Sequence, residues 1–324
     1  MAGRAWRAAV AAVATAAVLA IAACDIRLET DPLVTPTPDA VTVARDLAAL
    51  QEADIVAALA APATGGPGDS ALRAIESAAA PAHLEVLGGV YVAYPGAAPE
   101  PSADPMPDLR TAVTVARDRA LAQAFAESET DAGFLAGIRG FTHAFALWHA
   151  GVLDARAANV AVPVVAERTL PGPWGDGVAL VPEASAVGSQ ALAELAVLHD
   201  QARFTNEVIA ARESGVRRDR ALQRARLHRD RSDALAYLAG VDERLAVYEL
   251  PGARVADAAA RDETARDTEL ALGWRYMALT SGASAVERSW LMSAAFDAYA
   301  AAAMTEGFAA AHFPVLPGAD PASS

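Results

Sequence analysis

The sequence has a single cysteine, Cys24, and no lysine, so all of its basic side chains are arginines. One cysteine cannot form an internal disulfide, and stability must therefore come from packing. Aromatic residues make up only 6% of the chain, although 54% of it is hydrophobic. Its cores must be built mainly from alanine, leucine and valine. Because alanine has the highest helix propensity, this composition favours an all-α protein.

Positive charge is also scarce, since 26 basic residues stand against 40 acidic ones and the net charge is −14. Such an acidic surface repels DNA, RNA and anionic lipid headgroups, which excludes a nucleic-acid partner. It attracts cations, but acidic surfaces also serve simply to keep proteins soluble. The sequence contains neither a Gly-x-Ser-x-Gly elbow nor a phosphate-binding loop. We predict no catalytic residue, and the absence of these motifs favours a protein that is not an enzyme.

The N-terminus combines positive charge, an apolar run and small residues. Arg4 and Arg7 precede residues 8–23, which are uncharged and end in Ile21-Ala22-Ala23-Cys24. This order is typical of a secretory signal, and its last four residues resemble the lipobox of bacterial lipoproteins. The resemblance implies that residues 1–23 are removed and that Cys24 is diacylated, for example with palmitate. Two acyl chains would hold the protein on the outer face of the cytoplasmic membrane.

The alternative reading of this segment is a transmembrane anchor with a chance cysteine. A spanning helix needs about 20 apolar residues, and the run at 8–23 is shorter. Acidic rather than basic residues follow it, among them Asp25 and Glu29. We therefore favour the lipoprotein, with residues 24–38 as a polar, proline-bearing tether.

The mature chain divides into helical stretches separated by proline and glycine. Asp69 and Ser70 are expected to cap the start of the second helix, and Pro81 is expected to break or kink it. In the first helix, an apolar stripe keeps a spacing of three to four residues at Val43, Leu47, Leu50 and Ala57. We predict helices near residues 38–61, 69–87, 108–128, 130–152, 186–213, 217–239, 255–280 and 283–310. These form two tandem antiparallel four-helix bundles (39–155 and 186–317) joined by a linker (156–185). Short connections favour an up-down-up-down path.

Four helices, a linker and four helices also suggest an internal duplication. AHLEVLGG at 82–89 and DALAYLAG at 233–240 both close a second helix. Alanine-rich helices match one another easily, and the sequence leaves the question open.

The C-terminal half carries polar residues on its apolar stripes. His199 lies beside a core stripe that runs from Leu195 to Ile209, His228 falls on the inner face of the next helix, and Glu269 falls on that of the helix after it. Together with LAVLHDQARF, LHRDRSDALAYL and ETARDTELALGWRYMAL, this half resembles the ferritin-like lipoprotein domains of actinobacteria, whose function is uncharacterised. The family pattern singles out His199, His228 and Glu269. Leu198 replaces a glutamate that the family tends to have.

These three residues permit two interpretations. Ferritin-like di-iron proteins use Glu-x-x-His motifs, and this sequence has none. His199, His228 and Glu269 could still hold a single divalent metal ion, but a buried hydrogen-bonded network is the favoured reading. We therefore predict no cofactor, and keep one ion as the alternative.

Two further groups receive structural interpretations. His143 and His149 are expected to be partly buried aromatic residues. The arginine-rich stretch at 217–231 is expected to be a solvated helix face with ion pairs one turn apart. The sequence thus predicts an anchored helical lipoprotein that works by non-enzymatic interaction, with an envelope protein as a possible partner and metal or redox function as the alternative.

Overall fold

The computed structural model describes residues 38–63, 65–93, 108–126, 131–160, 170 and 181–319. The predicted signal sequence, Cys24 and most of the predicted linker lie outside these residues. Within the described part of the chain the protein is all-α, with eight α-helices and two short 3₁₀ turns. None of these helices has both the length and the apolar character that crossing a membrane requires.

The helices lie close to the predicted positions. They are α1 Ala40–Ala60, α2 Pro67–Val86, α3 Leu109–Ala126, α4 Asp131–Ala157, α5 Ser189–Ala210, α6 Gly215–Ala239, α7 Ala258–Ala278 and α8 Ala285–Ala303. Side-chain caps start several of them: Asp39 accepts a hydrogen bond from the Thr42 amide, and Asp257 accepts one from the Ala260 amide. Such caps satisfy amides that have no partner inside the helix.

Two expectations about α2 are wrong. The helix begins at Pro67, so Asp69 lies in its first turn rather than at its cap. It also continues through Pro81 without a break. Proline leaves the carbonyl of Ser77 without its helical donor. Both Pro81 and Ser77 are exposed, and water can satisfy that carbonyl.

The predicted apolar stripe of α1 is wrong as well. Val43 and Leu47 are 45% and 52% exposed, whereas Ala48, Ala49 and Ile55 are buried. The buried face of α1 therefore includes small residues and a carboxylate, Glu52. A stripe chosen for hydrophobicity alone could not identify that face.

Hydrogen bonds between helices define the direction of the chain in the C-terminal half. Arg217 pairs with Asp262 and Arg224 with Glu269, both at a sequence separation of 45, so α6 and α7 run parallel. Ser189 donates to the carbonyl of Ala239 at one end of α5 and α6, and these two helices run antiparallel. The expected up-down-up-down path is therefore wrong, because the long connection 240–257 carries the chain across from α6 to α7.

The N-terminal half follows the same path. Arg45 on α1 donates to the carbonyl of Leu87 beyond the end of α2, so these helices run antiparallel. Asp154, near the end of α4, receives the amide of Gly68 and the guanidinium of Arg110, which begin α2 and α3. Helices α2 and α3 are therefore both antiparallel to α4 and parallel to each other. In both halves, consecutive helices contact each other in pairs: α1 with α2, α3 with α4, α5 with α6, and α7 with α8.

One apolar core connects the halves. Helix α8 contacts both α3 and α4. Phe145 of α4 stacks on Phe313 with ring centroids 4.1 Å apart. Phe141 packs edge-on against Phe296 and Tyr299 of α8.

Candidate functional site

The three residues singled out by the sequence do meet in the structure. His199 and His228 approach through their Nδ1 atoms at 3.0 Å, and His228 Nε2 lies 3.0 Å from Glu269 Oε1. On the other side His199 Nε2 lies 2.7 Å from the Tyr276 hydroxyl. All four side chains are buried. One residue on α5, one on α6 and two on α7 thus meet at the centre of the C-terminal helices.

The proton positions along this series of hydrogen bonds follow from the Glu269 carboxylate at one end of it. Burial alone would raise the pKa of Glu269, but Arg224 and His228 hold it at about 2, so Glu269 is ionised. A carboxylate only accepts, so His228 donates from Nε2 and accepts at Nδ1. His199 must then donate from Nδ1 and accept the Tyr276 proton at Nε2. Burial lowers the pKa of both histidines, in keeping with neutral rings.

Two arginines complete this arrangement, and for these two residues the solvated reading of the 217–231 stretch is wrong, whereas Arg218, Arg226 and Arg229 are exposed as expected. Arg224 donates to both oxygens of Glu269 at 2.8 Å and to Asp297 at 2.9 Å. Arg231 also donates to Asp297, at 2.9 Å. Both guanidiniums are buried, whereas Arg217 on the same helix is partly exposed. The C-terminal cluster comprises His199, Arg224, His228, Arg231, Glu269, Tyr276 and Asp297.

The two charged pairs balance within the C-terminal cluster. Arg224 and Arg231 offset Glu269 and Asp297, and the imidazoles are neutral. A balanced and internally bonded set of this kind holds neighbouring helices in register.

A second cluster, which the sequence analysis missed, lies in the N-terminal half. His143 was expected to be a partly buried aromatic residue, but it is completely buried and fully engaged. Its Nδ1 lies 3.1 Å from both oxygens of Glu76, and its Nε2 lies 3.1 Å from Glu52 Oε1. Arg139 donates from Nε to the same Glu52 oxygen at 2.6 Å. The N-terminal cluster comprises Glu52, Glu76, His83, Arg139 and His143.

Charge interactions dominate this cluster too. Burial alone would lower the pKa of His143, but Glu76 and Glu52 raise it to about 10. Burial alone would raise the pKa of Glu52, but His143 holds it well below its usual range. His143 is therefore an imidazolium between two carboxylates.

His83 differs from every other histidine in the two clusters. It is completely buried, yet neither ring nitrogen has a hydrogen-bond partner, and neither does Glu52 Oε2. His83 Nδ1 lies 3.4 Å from that oxygen. Glu52, His83 and His143 each offer one atom to a common point, with these atoms within 4.8 Å of one another.

The sequence did contain a signal for this cluster. Glu76 and His83 are seven residues apart, which places them on one face of a helix, in line with Leu72 and Ala79. Polar residues within an apolar stripe indicate a buried polar site. The chain has no Glu-x-x-His motif, and a search for that spacing could not find it.

The chain matches no known protein family. No curated protein and no solved structure matches it either.

His149 takes the structural place expected for it. Its ring stacks on Phe145 at 5.9 Å and meets Phe308 edge-on at 5.3 Å. Burial, with a smaller contribution from Arg156, lowers the pKa of His149 to about 4.

Proposed function

We propose that this protein is an exported lipoprotein, anchored through an acylated Cys24 to the outer face of the cytoplasmic membrane, that acts as a non-enzymatic binding or interaction protein. The support for export and lipid attachment is the apolar run at 8–23 and its ending, Ile21-Ala22-Ala23-Cys24. The tether would present the helices to another envelope protein. The acidic surface suits a partner with a basic face.

The proposal includes two tandem four-helix bundles, of which the C-terminal one is ferritin-like. Its support is the chain path. In each half, the second and third helices run parallel, and a long connection lies between them. A single long crossover of this kind is characteristic of ferritin-like bundles. The repetition of the same path in both halves also favours an internal duplication.

The observation that carries the non-enzymatic reading is the pairing inside the C-terminal cluster. Both oxygens of Glu269 accept from Arg224, and the two histidines bond to each other and to their neighbours. Those groups are committed to holding α5, α6 and α7 together. This favours a network over a metal ion at His199, His228 and Glu269.

Labelling with radioactive palmitate tests the anchor. The full chain, expressed in a bacterium that processes lipoproteins, should incorporate the label and sediment with membranes. Cys24→Ser should lose the label, because only a thiol forms the thioether, whereas Thr15→Ala within the apolar run should keep it. A mature chain that begins elsewhere than an acylated Cys24 would contradict the proposal.

A further inference from the structure

The N-terminal cluster leaves polar atoms unpaired in a completely buried place. Both ring nitrogens of His83 and one oxygen of Glu52 have no hydrogen-bond partner, although neither side chain is exposed. Buried polar groups in native proteins are nearly always paired, since an unpaired group loses the hydrogen bonds that water would give it. Glu52 Oε2 and His83 Nδ1 lie 3.4 Å apart, so a single further species between them could complete the bonding of both.

We propose that Glu52, His83 and His143 bind one divalent transition-metal ion between α1, α2 and α4. This goes beyond the proposed function, since it requires neither the lipid nor a partner. Glu52 would contribute Oε2, His83 a ring nitrogen and His143 its Nε2. Because His143 is an imidazolium in the absence of metal, the ion must displace its Nε2 proton, and binding releases one proton to solvent.

The spacing of these atoms suits a shared ion. His83 Nδ1 lies 3.4 Å from Glu52 Oε2, and one ligand atom from each of Glu52, His83 and His143 lies within 4.8 Å of the other two. Nitrogen and oxygen ligands bond to zinc-sized ions at about 2.0–2.2 Å, so neighbouring ligands are roughly 3–3.4 Å apart. The rings of His83 and His143 stand edge to face, at 89° with centroids 5.3 Å apart, so they approach the common point from different directions.

The ligand types indicate the class of ion. Two imidazoles and one carboxylate suit zinc, iron, manganese or cobalt, whereas magnesium and calcium prefer oxygen ligands. Water can fill the remaining positions.

The surrounding residues already hold the ligands in place. Glu76 lies within hydrogen-bond distance of His143 Nδ1 and directs Nε2 toward the site, as carboxylates commonly do behind metal-bound histidines. Arg139 donates to Glu52 Oε1 and thereby leaves Oε2 free for an ion. Arg139 also donates to the carbonyl of Ala48 at 3.3 Å, which fixes it on α1.

The C-terminal cluster provides the contrast within the same chain. His228 is as deeply buried as His83, but its Nε2 bonds to Glu269 and its Nδ1 to His199. Arg224 supplies the positive charge there. Loss of His228 should therefore leave metal binding unchanged.

The test uses the full, untagged chain in detergent, purified without chelator. Because the site is buried, zinc is supplied during expression and again by prolonged dialysis. Bound metal is then measured by elemental analysis, and competition with cobalt is followed by visible absorption. We expect about one zinc per chain in the wild type and in His228→Gln, and an affinity at least about tenfold lower in His83→Gln.

Two outcomes would overturn the proposal: no stoichiometric zinc in the wild type, or equal zinc in His83→Gln. Equal binding would mean that the metal sits on the acidic surface or in the C-terminal cluster. If His83→Gln does not fold, as judged by circular dichroism, crystals of the zinc-loaded wild type decide the matter. An anomalous peak between Glu52, His83 and His143 would support the site, and its absence there would refute it. Repeating the analysis on Cys24→Ser separates this question from the lipid anchor.

Discussion

Arginine residues on α6 have different energetic roles according to depth. Arg224 and Arg231 are 7% and 4% exposed and neutralise buried carboxylates, whereas Arg217 forms pairs near the surface. Removing one partner of a buried pair leaves an uncompensated charge, while a surface pair contributes at most about 1 kcal/mol.

Arg224→Ala should therefore destabilise the protein by about 3–5 kcal/mol, because it leaves Glu269 with only a neutral histidine as partner and Asp297 with Arg231 alone. Arg217→Ala, on the same helix, should cost no more than about 1 kcal/mol. Chemical denaturation of both variants measures the difference. Equal small losses would mean that the Arg224 head is solvated.

His149 should make the protein sensitive to mild acid. Its pKa is about 4 in the folded protein against 6.5 for an unperturbed histidine, because burial disfavours its charge. The unfolded chain therefore takes up a proton first, and stability falls as the pH drops from about 6.5 to 4, by up to about 3 kcal/mol. Above pH 6.5 the residue contributes no pH dependence.

The variant His149→Phe keeps the stacking on Phe145 and removes the titration. Its unfolding free energy, measured from pH 7 to 4, should fall less steeply than that of the wild type. Parallel pH profiles would contradict this assignment.

At the scale of the helix, α1 shows why a hydrophobic stripe can mislead. Its exposed face carries Val43 and Leu47, while its buried face carries Ala49, Glu52 and Ile55. Small residues allow close approach to α2 and α3, and the carboxylate requires partners that only neighbouring helices supply.

Ile55→Ala should cost about 2–5 kcal/mol, because it opens a cavity at a fully buried position. Leu47→Ala, on the same helix, should change stability by less than about 0.5 kcal/mol. Thermal unfolding of the two variants provides the comparison, and a larger loss for Leu47 would restore the stripe expected from the sequence.

Gly140 shows how a missing side chain permits a close contact between helices. A Cβ added at Gly140 of α4 would come within 2.8 Å of the Leu121 side chain and 2.9 Å of its backbone nitrogen on α3. The absence of a side chain lets α3 and α4 approach each other closely around the N-terminal cluster.

At the scale of the whole molecule, the aromatic core makes the two halves interdependent. Phe145 of α4 and Phe296 of α8 belong to one buried cluster, which also includes Tyr299 and Phe313. Neither half covers this surface by itself.

The two halves should therefore unfold in one transition. Phe145→Ala should lower the stability of both by about 3–5 kcal/mol, with coincident tryptophan-fluorescence and circular-dichroism curves. Phe204→Ala, which removes a half-buried ring that contacts Tyr248 at the edge of the molecule, is the matched control and should cost less. Two separate transitions would mean that the halves are independent.

The sequence could predict helix positions because capping residues, glycines and alanine-rich runs act locally. Asp39 and Asp257 cap helices that begin close to the predicted positions, and Gly240 ends α6 with a left-handed backbone at φ 69°. The sequence also brought His199, His228 and Glu269 to notice, because each departs from an apolar stripe.

The sequence by itself determined the all-α class and the approximate bounds of the helices, because these follow from interactions within a few turns. Tertiary structure alone decided the crossing between α6 and α7, the burial of Arg224, and the meeting of Glu52 and His83 with His143. Those contacts join residues up to 91 positions apart. Such contacts depend on which helices lie side by side, and the pattern along any one helix does not contain that information.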